Sequence, residues 1–237
     1  MLPKFKLFTK TGLFPQENIQ VTSGTVKQAR SESIIAVNPL DRDNLIAASK
    51  KFSNPRTYRF TMGVRVSFDG GSSWQAVPCT STLGGLVSLR FGDLQHGVAI
   101  GPGGIAMVSA DGGATWSPRP TGSASNLRRV TFADATTAVA VGENGAIVRS
   151  VDQGRTWTPV PSPTPYSLND VRFVSATVGH AAGDFGTLLT TRDGGQSWTL
   201  GNTGVRPSLQ SVFFIDEQTG WVAGDNGSIL ATASGGR

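Results

Sequence analysis

The sequence predicts an all-β fold, a β-propeller of four-stranded antiparallel blades, and two observations carry that expectation. An eight-residue motif recurs without gaps as SFDGGSSW at 67–74, SADGGATW at 109–116, SVDQGRTW at 150–157 and TRDGGQSW at 191–198, at spacings of 42, 41 and 41 residues. Between copies the same landmarks return every 41 residues: Phe91, Phe132, Phe173 and Phe214, then Gly101, Gly142, Gly183 and Gly224, then Gly104, Gly145, Gly186 and Gly227. Composition agrees. With 30 glycines in 237 residues and charged residues at 16%, against a usual share of about 25%, the chain favours tight turns over solvated helices.

Each unit reads in one order: an apolar strand (LRF, VTF, VRF, VFF), a turn, a second strand (VAI, VAV, HAA, WVA) and a G-x-x-G hairpin. A third strand (IAMVS, AIVRS, TLLTT, SILAT) leads into the aspartate motif, and a short fourth strand starts at the tryptophan. The blades then cover approximately 31–78, 86–118, 126–160, 167–200 and 208–237, five in this chain. Residues 1–30 precede them as an N-terminal segment. The fifth copy reads TASGGR, with Ser234 at the aspartate position. A strand such as NIQVTSG, residues 18–24, is able to supply the fourth strand of the last blade and close the ring.

The motif resembles the Asp box, or BNR repeat, of sialidases, sortilin-type receptors and related propellers. The longer pattern, as in FIDEQTGWVAGDNGSILAT and FADATTAVAVGENGAIVRS, most resembles the photosystem II stability and assembly factor family over about residues 86–237. That family implies seven blades, so the alternative to a closed five-bladed ring is a fragment of a seven-bladed one, whose open edges would favour self-association. The first unit, with SIIAVNPLDRDNLIAAS ahead of GVRVSFDGGSSW, looks more like the opening blade of secreted sialidase-like BNR-repeat proteins.

The motif residues are read as structural. Asp69, Asp111, Asp152 and Asp193 suit acceptance of backbone N–H groups across the turn, as Asx residues do. Gly71, Gly113, Gly154 and Gly195 supply turn conformations, and Trp74, Trp116, Trp157 and Trp198 bury a large ring against the blade. In the resembling families this hairpin lies on the face opposite the binding site.

Charge is uneven. Residues 1–60 hold ten Lys or Arg against four acids, a balance of +6, whereas residues 61–237 hold eleven against twelve, a balance of −1. A pI near 9.8 therefore reflects a basic first quarter and no surface built for nucleic acid. One cysteine, Cys79, excludes an intrachain disulfide, and the pair His96 and His180 with it makes no zinc site by itself. No cofactor or metal is expected. No apolar run reaches the length of a membrane span or of a signal peptide, while the family resemblance implies an extracytoplasmic setting.

Three groups are candidates for a site on the face opposite the aspartate motifs. The segment 48–63, read as a loop inserted in the first blade, interleaves Lys50, Lys51, Arg56 and Arg59 with Phe52, Tyr58 and Phe60, offering cations and stacking rings. The alternative is a solvated basic loop. Arg90 and Arg172 share one repeat position, with Arg128 and Arg129 nearby, on strands expected to be innermost. The resembling assembly factors use an arginine-rich patch to hold a protein partner, and these four match it, although Phe213 stands where a further arginine belongs. Pairing with Asp93, Asp134 or Asp170 is the structural alternative. Third, Glu143, Asp184 and Asp225 share a position in the G-x-x-G hairpins, where turn chemistry explains them better than a glycosidase carboxylate pair.

A sialidase would need an arginine triad, a tyrosine nucleophile with a carboxylate base, and an Arg-Ile-Pro motif. Tyr58 and Tyr166 are the available tyrosines, without a glutamate spaced to form a dyad, and that motif is absent. No phosphate-binding or nucleophile-elbow signature occurs. The expectation is a non-enzymatic scaffold that binds a protein or acidic peptide through a basic face. The alternative is a glycan-active or glycan-binding sialidase-like protein, a glycoside hydrolase if an enzyme. No nucleic-acid partner is expected.

Overall fold

Short apolar runs bounded by glycine and aspartate turns become strands too brief to bury much alone, so they gain stability by stacking as sheets. The computed structural model describes residues 85–236 with their side chains, together with Ser67, Gly70, Ser72 and Ser73, and the backbone of the strands that precede them. Strands β1 (Lys6–Thr9) and β2 (Gly12–Pro15) pair with each other. The first blade orders β3 (Arg30–Val37), β4 (Leu45–Asn54), β5 (Arg59–Ser67) and β6 (Gln75–Val77). The second holds β7 (Ser88–Phe91), β8 (Gly97–Ile100), β9 (Ile105–Ser109) and β10 (Ser117–Pro120). The third holds β11 (Leu127–Phe132), β12 (Ala138–Gly142), β13 (Ile147–Ser150) and β14 (Thr158–Pro159). The fourth holds β15 (Leu168–Phe173), β16 (Gly179–Gly183), β17 (Leu188–Thr191) and β18 (Thr199–Leu200). The fifth has β19 (Leu209–Phe214), β20 (Gly220–Gly224) and β21 (Ile229–Thr232).

Every pairing is antiparallel between sequence neighbours, which makes each sheet a meander. The fold is an all-β propeller. Helical backbone among the described residues is confined to single 3-10 turns such as Glu143–Gly145 and Asp184–Gly186, at the second-to-third-strand hairpins. The glycines of that hairpin have two different reasons. A Cβ on Gly183, whose φ is extended, would stand 2.3 Å from the Ser167 carbonyl oxygen, whereas Gly186 combines φ +70° with a Cβ position 2.0 Å from the Val205 oxygen.

The core lies between blades. Val98, Ile100 and Val108 of the second blade pack on Leu127, Val130, Ala140 and Val148 of the third. The opposite side of the third blade, with Val139, Val141 and Ile147, packs on Leu168, Val171, Ala181 and Leu189 of the fourth. Neighbours Val139 and Ala140 thus serve different clusters, as strand alternation requires, and every residue of β12 is buried. The first strands are innermost: β3 lies beside β7, β7 beside β11, β11 beside β15, and β15 beside β19.

One expectation changes. Residues 48–63 are not a free loop, because β4 and β5 continue through them with Lys50 opposite Met62, Lys51 opposite Thr61, Phe52 opposite Phe60 and Asn54 opposite Arg59. Each added pair extends a ladder already nucleated in the blade, so Lys50, Lys51 and Arg59 ride on elongated strands. The fifth sheet has three strands among the described residues, and residues 18–24, suggested as its fourth, lie outside them.

The aspartate motif closes the third-to-fourth-strand turn through contacts within four residues. Asp193 Oδ1 accepts from Ser197 N at 3.0 Å and Thr191 Oγ1 at 2.8 Å, and the Ser197 hydroxyl donates to Oδ2 at 2.5 Å. Thr191 Oγ1 in turn accepts from Gly195 N at 2.9 Å. Asp111 and Asp152 repeat the arrangement with Thr115 and Thr156. These hydrogen bonds outweigh partial desolvation and hold the Asp193 carboxyl down to about 2. Trp116 and Trp157 donate their indole N–H to Gly113 and Gly154 carbonyls. Trp198, buried edge-on against Phe173, leaves its N–H without a partner. Asp69 and Trp74 lie outside the described residues.

Candidate functional site

Backbone hydrogen bonds define the two faces. Each aspartate-motif turn bonds the first-to-second-strand turn of its own blade, as Gly112 N to Gln95 O, Gln153 N to Thr136 O and Gly194 N to Thr177 O. The second-to-third-strand hairpins bond the connections between blades at the other end, as Glu143 N to Asn126 O and Asp184 N to Ser167 O. Inner strands begin at this second face and run toward the first.

Along them the arginines are staggered in depth. Arg128 sits near the start of β11 at a register shift between Leu127 and Arg129, and equivalent shifts occur at Asn169 and Gln210. These bulges aim the extra side chain along the rim. Arg128 bonds Glu143 Oε1 at 3.3 Å and Asn169 Oδ1 in the next blade. Asn169 Nδ2 donates to Asp184 Oδ1 at 3.0 Å and to Leu209 O at 2.9 Å, and Gln210 reaches Asp225 at 3.1 Å. The acids of the hairpins therefore hold the bulged residues, one per blade.

One step deeper, Asp170 is 1% exposed and fully engaged. Its Oδ2 accepts from Val212 N at 3.0 Å and Ser211 Oγ at 3.1 Å in the fifth blade, and its Oδ1 accepts from Val171 N at 3.0 Å. Arg129 Nε lies 3.0 Å from Asp170 Oδ1, but its N–H is not aimed at an acceptor, so the pair is a charge contact and the buried N–H stays unpartnered. Ser88, one period before Arg129, performs the same backbone task with Val130 N at 3.2 Å.

Arg90 and Arg172 lie two residues beyond that position, nearer the aspartate-motif end than expected for a group on the opposite face. Arg90 is half-buried and donates to its own strand at Leu89 O, while Arg172 is exposed. Burial, followed by the nearby guanidiniums of Arg129 and Arg172, holds Arg90 below the usual arginine value, with Asp170 opposing them. Three inner strands thus bring the Arg129–Asp170 pair and the Arg172 guanidinium close enough to Arg90 to influence it. Of the acids suggested as arginine partners, Asp170 is one; Asp93 instead binds His96 and its turn, and Asp134 the N–H groups of Thr136 and Thr137. Glu143 as a partner of Arg128 was not anticipated from the sequence. Arg129 and Asp170 stand one period apart in the sequence, a signal of their meeting that the pairing alternatives did not use.

Lys50, Lys51 and Arg59 fall on β4 and β5 with side chains outside the described residues, as are Arg56 and Tyr58 altogether. No cluster of three metal-ligating side chains occurs among the described residues, nor a helix long and apolar enough to cross a membrane. A cleft of about 520 Å³ opens on the flank of the fifth blade between Leu188, Phe214, Trp221 and Ile229, away from every ionisable group just described.

A family model described as photosynthesis system II assembly factor YCF48 matches residues 150–237. No curated protein matches the sequence. Among solved structures, YCF48 from Cyanidioschyzon merolae superposes with a TM-score of 0.56 at 20% identity, covering 79% of this chain and 66% of that one. YCF48 bound to D1 peptide gives the same TM-score and identity over 79% of this chain and 60% of that one. The GH74 xyloglucanase from Xanthomonas campestris gives 0.67 at 16% identity, over 86% and 37%. The chain therefore spans less than two thirds of the length of each. Together, the recurrent aspartate turns, the blade order and these likenesses make this chain a propeller of BNR repeats that resembles the photosystem II assembly factor YCF48.

Proposed function

We propose that this propeller is a non-enzymatic scaffold that binds an acidic peptide or protein segment at its inner strands. The observation that carries the reading is the gathering, among the described residues, of the Arg129–Asp170 pair and Arg172 about the half-buried Arg90, three guanidiniums to one carboxylate on neighbouring inner strands. Guanidiniums grip carboxylates bidentately and stay charged at working pH, so a peptide carboxylate suits this group. Arg128 extends the cationic track toward the rim, and strands β4 and β5, carrying Lys50, Lys51 and Arg59, add a second basic element to which the sequence adds Arg56 and Tyr58. Support comes also from the similar YCF48 structure that holds a D1 peptide.

The test is fluorescence anisotropy with a labelled glutamate-rich peptide. Reversing Arg90 and Arg172 to Glu should abolish binding, while reversing Arg155 and Arg192, in the aspartate-motif turns, should leave it intact. Binding should weaken as salt rises past about 0.15 M, where screening acts within about 8 Å. Equal loss from both pairs would reduce the effect to net charge and sink the site.

A further inference from the structure

Tyr166 and Phe185 form an exposed ring pair at the rim of the fourth blade that the fold does not need. Their centroids are 4.7 Å apart at 41°, yet the side chains remain 45% and 65% exposed. Phe185 holds φ +55° at the tip of its hairpin, where the equivalent positions carry Gly103, Asn144 and Asn226. Glycine and asparagine accept this left-handed conformation; a bulky aromatic resists it. An exposed ring in a conformation it disfavours serves neither core nor turn, and such outliers point toward a task at the surface.

The rings join the arginine site through a continuous polar row. Arg128 bonds Asn169, Asn169 bonds Asp184, and Phe185 follows Asp184 in sequence. Within that row Asn169 donates twice and accepts from Arg128, and Asp184 N donates to Ser167 O. An apolar ring stacked on Phe185 needs no polar partner there, unlike the hydroxyls of a sugar.

We infer that Tyr166 and Phe185 form a stacking anchor for a proline or aromatic residue of the bound segment, next to the carboxylate held by the arginines. This rests on the acidic-peptide reading above. The experiment compares two glutamate-rich peptides, one carrying phenylalanine and the other alanine at stepped spacings from the carboxylates, on the wild-type protein and on Phe185→Asn and Tyr166→Ala. The wild type should prefer the best-spaced phenylalanine peptide by about three- to tenfold. Phe185→Asn should bind the two peptides alike, and its melting temperature should be no lower, since asparagine fits the same backbone in two sister blades. A preference that survives in both variants overturns the anchor while leaving the arginine site standing. Failure of both peptides to bind the wild type overturns the anchor and the arginine site together. Loss in Phe185→Asn of affinity for a cello-oligosaccharide, with no peptide preference in the wild type, would assign the rings to glycan and also overturn the inference.

Discussion

His180 and Phe214 stack face to face across the boundary between the fourth and fifth blades, with ring centroids 3.6 Å apart and planes within 4°. His180 is fully buried, its Nδ1 lies 3.1 Å from the Thr190 hydroxyl, and its Nε2 has no partner. Trp221 occupies the same position one blade later, where it is 40% exposed because no described blade covers it.

Acid should weaken this boundary first. Burial, then the charge of Arg192, lowers the His180 imidazole from 6.5 to about 4. The unfolded chain takes up a proton near pH 6.5 that the folded chain refuses until about pH 4, so stability is greatest above 6.5 and falls as pH drops toward 4. The full difference is on the order of 3 kcal/mol. Urea midpoints should decline across that window, and His180→Phe should flatten the decline. An equal slope in the variant would place the proton uptake elsewhere.

The aspartate turns titrate lower. Because Asp193 is depressed to about 2, its contribution is complete above its ordinary value of 3.8 and disappears as pH falls through 2, a window distinct from that of His180. At pH 7, Asp193→Ala loses contacts to Ser197 and Thr191 and should cost about 1–3 kcal/mol in denaturant melts. Asp193→Asn, which keeps one acceptor oxygen, should cost less.

Gln153 stands at φ +65° where the second and fourth blades place Gly112 and Gly194. Gln153→Gly should stabilise the protein by about 0.5–1 kcal/mol, the relief of left-handed strain exceeding the entropy of a freer unfolded chain. A lowered melting temperature would show that the glutamine side chain contributes more than its backbone costs.

Asp170→Ala should cost about 3 kcal/mol or more, since it strands Val212 N and removes the carboxylate from among three guanidiniums. Asp170→Ser should recover part of that loss, because Ser88 accepts from the next blade's backbone at the equivalent position. Identical destabilisation by both variants would mean that charge balance alone sets the cost.

How much of this was legible follows from contact range. The aspartate turns could be read because Asp193 meets Ser197 four residues away, so an eight-residue motif contains the whole device. The 41-residue period likewise exposed the blades, since each repeats one meander and one inter-blade face. The arginines aligned in the sequence, but their surroundings did not: Arg129 meets Asp170 and Arg128 meets Asn169 across a blade boundary, and a β-bulge decides which side chain turns to the rim. The basic segment 48–63 read as an inserted loop where later blades have a G-x-x-G turn, while ladder extension carries β4 to Asn54 and starts β5 at Arg59. Strand pattern and turn chemistry are local and belong to the sequence; depth along the channel, charge convergence and the exposure of the Phe185 ring come from packing blade against blade, a relation that no short window of residues contains.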